Sequence, residues 1–300
     1  QRKKLAMTIE GPRVDVAQFG SGLVGLNALR GLLFGGDAPA APADAAAAEP
    51  QVKSTLFDPA TADLSLDLKV AKLLDGPRVL KDVDAVVRLE RGTLSIPRLR
   101  FSTPEGLYIE AEGEAKDVPA RPQGAIRGLI SAPNAAAGRA FLTLLDVEDA
   151  SLPTFDRFAR LAPFRLAGAL ELSGGAANAS TLDLDGTLGG GRVSASLRLD
   201  GGIGQWRTAP LDVQASAENP DVAALVATLF DTQIKSTAAE PPRSGRVVIK
   251  ATGVPAQGLL SLADVTAEGL SLGYRGQVKL PAPGDTQLAG DLNVSAADAR

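Results

Sequence analysis

Cysteine and histidine are both absent from this chain of 300 residues. Without thiols there are no disulfides and no thiolate metal sites, a lack that is silent on redox compartment. Without imidazole the commonest general base, the commonest metal ligand and every His-dependent triad are gone. Aromatic residues make up 4% of the chain against 45% hydrophobic overall, so its apolar surfaces are built from Leu, Val, Ile and Ala. Basic excess is missing too: Lys and Arg total 31 against 35 Asp and Glu, a net charge of −4. No basic block follows an aromatic ladder, which argues against a nucleic-acid partner. The apolar helical pattern at 22–34 runs roughly a dozen residues where a bilayer crossing takes about 20, so it reads as a packing helix.

What the chain has is alternation. Leu182, Leu184 and Leu188 alternate with Asp183, Asp185 and Thr187, and Val193, Ala195, Leu197 and Leu199 alternate with Arg192, Ser194, Ser196 and Arg198. Strand side chains point to opposite faces with a period of two, so each run predicts one apolar and one wet face. Leu211, Val213, Ala215 and Ala217 form a third run, which stops at Asn219-Pro220. There the period becomes helical through Val222, Leu225, Val226 and Leu229, with Asn219 placed to cap and Pro220 at the first position.

The same ending, strand then short apolar helix, recurs at 14–34 and at 125–145, and 290–300 matches its first part. A recurring unit of several strands plus one helix predicts a repeat protein in which each unit rests on its neighbours. The segments are 1–34, the end of a preceding repeat; 35–52, an Ala/Pro-rich linker; 53–162, a repeat with bridging helices, one of them at 154–161; 163–231, a complete repeat; and 232–300, a repeat cut before its helix. Beginning at Gln1 without Met and stopping inside a repeat, the chain is expected to be a section of a longer protein. The fold class predicted is mainly β, with repeated antiparallel meanders forming one long curled sheet or groove and a short amphipathic helix closing each repeat. Roughly fifteen strands are expected against about four short helices, too few helices to cover that much apolar sheet.

Three chemical motifs lose to simpler readings. Gly189-Gly190-Gly191 has no following Lys, Ser or helix start, so it reads as a hairpin turn and not a phosphate loop. Asp183 with Asp185, and Glu110 with Glu112, each share a strand face as solvated faces routinely do, although a glycosidase or a cation site could use such pairs. Trp206 reads as a strand-edge anchor. No catalytic residue, cofactor or metal is assigned.

The run LSLDLKVAKLLDGPRVLKDVDAVVRLERGTLSIPRLRF at 64–101, together with the strand-then-helix ending at 211–230, resembles the AsmA-like proteins of Gram-negative bacteria. The resemblance implies a periplasmic body of strands curled into a groove and anchored to the inner membrane by a segment not present here. It also implies a role in phospholipid transport and outer-membrane homeostasis, with no catalytic residue. On that reading the groove lining comprises Leu64, Leu66, Leu68, Val83, Val87, Leu89, Ile109, Leu182, Leu184, Val193, Leu197, Leu199, Val213, Val247, Ile249, Leu270, Leu272 and Leu292. The partners expected are a phospholipid or other acyl lipid, bacterial membranes reached through parts outside this sequence, and envelope proteins. Two alternatives stand beside it. One is a structural scaffold with a closed β core that aids outer-membrane protein assembly, and the other a polysaccharide-active β-solenoid enzyme using Asp183 or Glu110.

Overall fold

The computed structural model describes residues 2–15, 62–75, 78–118, 120–144, 160–174, 178–201, 206–221, 244–267, 269–282 and 285–296. The strands are β1 (Lys3–Gly11), β2 (Val14–Asp15), β3 (Ala62–Asp75), β4 (Arg78–Glu90), β5 (Thr93–Ser102), β6 (Tyr108–Lys116), β7 (Gln123–Ala132), β8 (Phe164–Ser173), β9 (Ser180–Leu188), β10 (Gly191–Leu199), β11 (Leu211–Asn219), β12 (Gly245–Val254), β13 (Gly258–Ala267), β14 (Leu270–Ala282) and β15 (Asp285–Ala296). All belong to a single 15-stranded sheet. From β3 onward each strand pairs antiparallel with the next in sequence. The sheet passes without a break through the segment borders drawn at 162/163 and 231/232, because β7 pairs β8 and β11 pairs β12.

Short turns set the register. Arg91 and Gly92, both with positive φ, join β4 to β5, and Gly189 and Gly190 do the same for β9 and β10. Two consecutive left-handed residues twist the chain in the sense the flanking strands already have. Asp63 pins the first of these turns: its Oδ1 accepts the Arg91 backbone N–H at 3.0 Å and the Arg2 Nε at 2.8 Å. Those bonds, the Arg91 N–H foremost, hold the Asp63 carboxyl below its ordinary value against the opposing effect of burial.

Two features depart from the meander expected from sequence. β1 runs parallel to β3, Leu5 opposite Leu64 and Ile9 opposite Leu68, and β2 continues along the same edge. Parallel neighbours need a long return connection, which a hairpin-based reading does not supply. In addition, β5 carries one extra residue around Ile96-Pro97 relative to β4. Proline cannot donate to the ladder, so the strand bulges where it sits.

One helix is described, α1 (Ala135–Leu144). Asn134 opens it, its Oδ1 accepting the Ala137 N–H at 3.0 Å, and its Nδ2 donates to Glu105 O at 3.4 Å. The helix expected at 22–34 lies outside the described residues, and so do those at 154–161 and 219–230 apart from residues 160–161 and 219–221.

The antiparallel registers sort side chains cleanly. From β5 to β14 no Asp, Glu, Lys or Arg occupies a paired position on the face that carries Leu94, Ile109, Ile126, Leu170, Leu182, Leu197, Val213 and Ile249. Charges fill the other face. There, Glu10, Lys69, Asp84, Arg100 and Glu110 are successive cross-strand neighbours of alternating sign over β1, β3, β4, β5 and β6. Each such opposite-charge neighbour contributes about 0.2–1 kcal/mol, and a slip of one residue would drive the charges onto the apolar side.

Candidate functional site

The apolar face of the curled sheet is covered at one end by the segment that leads into β8. Leu161, three residues before β8 begins, forms one buried cluster with Val247 on β12 and Val265 on β13. The segment before β8 passes over the β9–β10 turn, where the Leu161 carbonyl lies 3.6 Å from the position a Cβ on Gly189 would take, and from there Leu161 reaches across the end of the curled sheet. Glycines allow the bend. Gly113 on β6 and Gly124 on β7 have φ of +153° and +150°, and a Cβ on either would collide with a backbone carbonyl of the neighbouring strand.

Every lining residue predicted from sequence falls on this face, because each alternation run is locked into a paired register. Their environments divide the face in two. Leu64, Leu66, Leu68, Val83, Val87 and Leu89 belong to a closed cluster with Leu94, Ile96 and Phe101, and each is at most 8% exposed. Ile109 is half-buried and packs against both this cluster and the one beneath α1. Over β9 to β13 the same face is different. Leu182, Leu184, Val193, Leu197, Val213 and Ile249 are half-buried, and the positions between them are filled by Ala195, Ala215, Ala251, Ser261 and Ala263. Leu199 and Val247 are buried at opposite ends of their strands, and Leu272 is half-buried. Leu270 lies in register on the same face, opposite Ala267. Leu292, on the last strand, is 61% exposed.

Both ends of the strip are closed by named groups. Leu161 covers the end near Val247 and Val265, with Leu188, Ala217, Ala267 and Leu272 packed around it. At the opposite end the β10–β11 and β12–β13 connections tie together, Ala256 N–H donating to Arg207 O at 2.9 Å and Leu280 N–H to Pro255 O at 2.8 Å. Pro255 and Ala209 are buried there, while Trp206 is 40% exposed with the Arg207 guanidinium 4.8 Å from its ring centroid. Over the N-terminal strands the closure is helical. Ala137, Phe141 and Leu144 of α1 pack with Leu107, Ile130 and Phe164, and Phe141 meets Phe164 edge to face at 6.2 Å. The far end of α1 reaches β4, where Arg78 donates to Thr143 O at 3.3 Å and satisfies a carbonyl of the last turn.

The wet face is ion-paired where it is densest. Asp84 receives Arg98 Nε at 2.6 Å and an Arg100 terminal nitrogen at 2.5 Å. Burial pushes the Asp84 carboxyl up, and the two guanidiniums outweigh it, leaving the group below its ordinary value. Tyr108 donates to Glu110 Oε2 at 3.0 Å, and burial together with that carboxylate raises the phenol. Asp183 and Asp185 stand opposite Ala169 and Ser196, and Ala167 and Ser194, respectively, all on this outer face.

Tyr274, in step with Leu270 and Leu272, and Leu161 also face inward; neither is among the lining residues predicted, Leu161 because it lies in no alternation run. Among the described residues no helix is long and apolar enough to cross a membrane, and no group of three or more acidic residues is placed to hold a metal ion. No family model matches this chain, and no match was found among curated proteins or solved structures.

Proposed function

We propose that the concave face over β9 to β13 binds lipid acyl chains, in an AsmA-like protein of the Gram-negative periplasm that supports phospholipid transport and outer-membrane homeostasis. The observation that carries the reading is the half-buried, charge-free aliphatic strip held between two closed ends. An acyl chain needs contact with methyl groups and freedom from fixed charge, and this strip offers both. Each methylene kept from water contributes about 0.8 kcal/mol, so a two-chain lipid bare in water would lie on the order of 20 kcal/mol uphill. Aliphatic side chains repeated at every second residue lower that barrier without any bond being made or broken, and the reading therefore assigns no catalytic step. The envelope setting and the inner-membrane anchor rest on the sequence resemblance at 64–101 and 211–230.

The closed cluster around Leu66, Val87 and Leu94 favours a second reading for the N-terminal strands, that of a rigid scaffold. A photocrosslinking residue separates the two. Placed at Leu182, Leu197 or Val213 it is expected to give lipid adducts in envelope extracts, and at Asp183 or Ser196 on the outer face it is not. Adducts with protein only, or with nothing, at all three inner positions would leave the scaffold and end the acyl-chain reading.

A further inference from the structure

Resting on the acyl-chain reading, we infer that the Tyr274 ring is the stop that sets how far an acyl chain reaches across the strip, and thereby the chain length it prefers. Both strand ends of the strip are closed, so a chain lies across the strands, and the floor it meets in that direction is graded. Leu197, Val213, Ala251, Ser261, Gly276 and Gly290 are successive cross-strand partners from β10 to β15, all on the apolar face. Side chains shrink along that row from Leu through Val and Ala to Gly, so the floor sinks toward β14 and β15. The hydroxyl in the row, that of Ser261, donates to Leu259 O on its own strand at 3.2 Å.

The deep end of that floor is filled. Tyr274, on the apolar face of β14, lies over both glycines: a Cβ on Gly276 would strike its hydroxyl, and one on Gly290 would come within 2.9 Å of its ring. The phenol donates to Ala289 O at 3.3 Å, which holds the ring across the floor and satisfies the hydroxyl. Beyond the half-buried ring the apolar face continues as Leu292 on β15, which is 61% exposed. A chain that has crossed Ala251 and Ser261 therefore meets the ring before the last two strands, a remaining distance of about 10 Å at the usual strand spacing. Ring and acyl chain compete for one volume, since both fill space at close-packed density.

The test is displacement of a fluorescent acyl probe from the intact chain and its Tyr274→Ala and Tyr274→Phe variants, with circular dichroism confirming the fold of each. The competitors are dodecanoate, tetradecanoate, hexadecanoate and octadecanoate, each below its aggregation concentration. Every further methylene taken up by the strip should tighten binding about fourfold. In the wild type that gain is expected to level off before octadecanoate. In Tyr274→Ala it should continue, so that octadecanoate binds at least about fourfold tighter than to the wild type while dodecanoate is unchanged. Tyr274→Phe keeps the ring and should keep the wild-type limit. A Tyr274→Ala variant that shifts all four acids alike, as a merely structural role would, overturns the inference and leaves the acyl-chain reading standing. So does a limit that moves as far in Tyr274→Phe as in Tyr274→Ala. Failure of the probe and of every acid to bind any of the three proteins would reject the acyl-chain reading and the stop with it.

Discussion

Leu161 and Val265 lie in one buried cluster, the segment before β8 crossing the β9–β10 turn at Gly189 to reach β13. That meeting caps one end of the apolar face. A sheet curled toward its other face would put Arg192, Asp183 and Glu218 in a dry interior, which is far less favourable.

Leu161→Ala should therefore loosen the closed end of the strip. Removing a buried leucine leaves a cavity, and a loss of about 2–4 kcal/mol is expected, read as a lowered urea midpoint. If the variant unfolds at the wild-type urea concentration, the cluster contributes nothing to the curl.

Gly124→Ala tests the bend itself. An added methyl would meet the Glu114 carbonyl at a backbone angle that L side chains rarely adopt. Destabilisation of at least about 2 kcal/mol is expected in denaturant unfolding, well above that at Gly11, where an added Cβ would have open space and no positive φ is involved.

Acid should weaken the N-terminal strands first. Asp63 and Asp84 both have folded values below their unfolded ones, so their stabilisation is in place at neutral pH. It is lost as pH falls through the folded values, in the window below about pH 4. A series of unfolding midpoints from neutral pH downward should stay level and then drop in that window, and Asp84→Asn should drop less steeply. Parallel curves for the two proteins would show that the Arg98–Asp84–Arg100 contacts are not felt.

Leu197→Asp and Ser196→Asp place one charge on opposite faces of the same strand. The first should abolish binding of a fluorescent acyl probe by putting a carboxylate in the apolar strip, and the second should leave it intact. Loss in both, or in neither, would dissociate binding from the concave face. Melting curves of both variants check that the sheet persists.

Asn134→Ala removes the cap of α1, with an expected loss of about 1 kcal/mol visible in thermal unfolding. Because α1 lies over Ile130 and Phe164, hydrogen exchange should rise there as well as in the helix.

Much of this protein was written in its local pattern. Alternation is a property of two adjacent residues, so Leu182, Leu184, Leu197 and Val213 could be assigned to one face before any strand was paired, and Arg91-Gly92 and Gly189-Gly190 could be read as turns. The parallel pairing of β1 with β3 left no such mark, since it depends on which distant strand arrives alongside. Which part of the apolar face is dry was equally hidden: Leu66 and Leu197 sit in identical alternating strings, yet one is 7% exposed and the other half-buried. The difference comes from what lies across the curl and at its ends, namely α1, Phe101 and Leu161. The sequence by itself determined the period, the faces and the turns, because backbone geometry enforces those residue by residue. Only the tertiary structure decided where the sheet closes into a core and where it stays open as a strip, because closure is set by twist summed over many strands and by contacts between residues far apart in the chain.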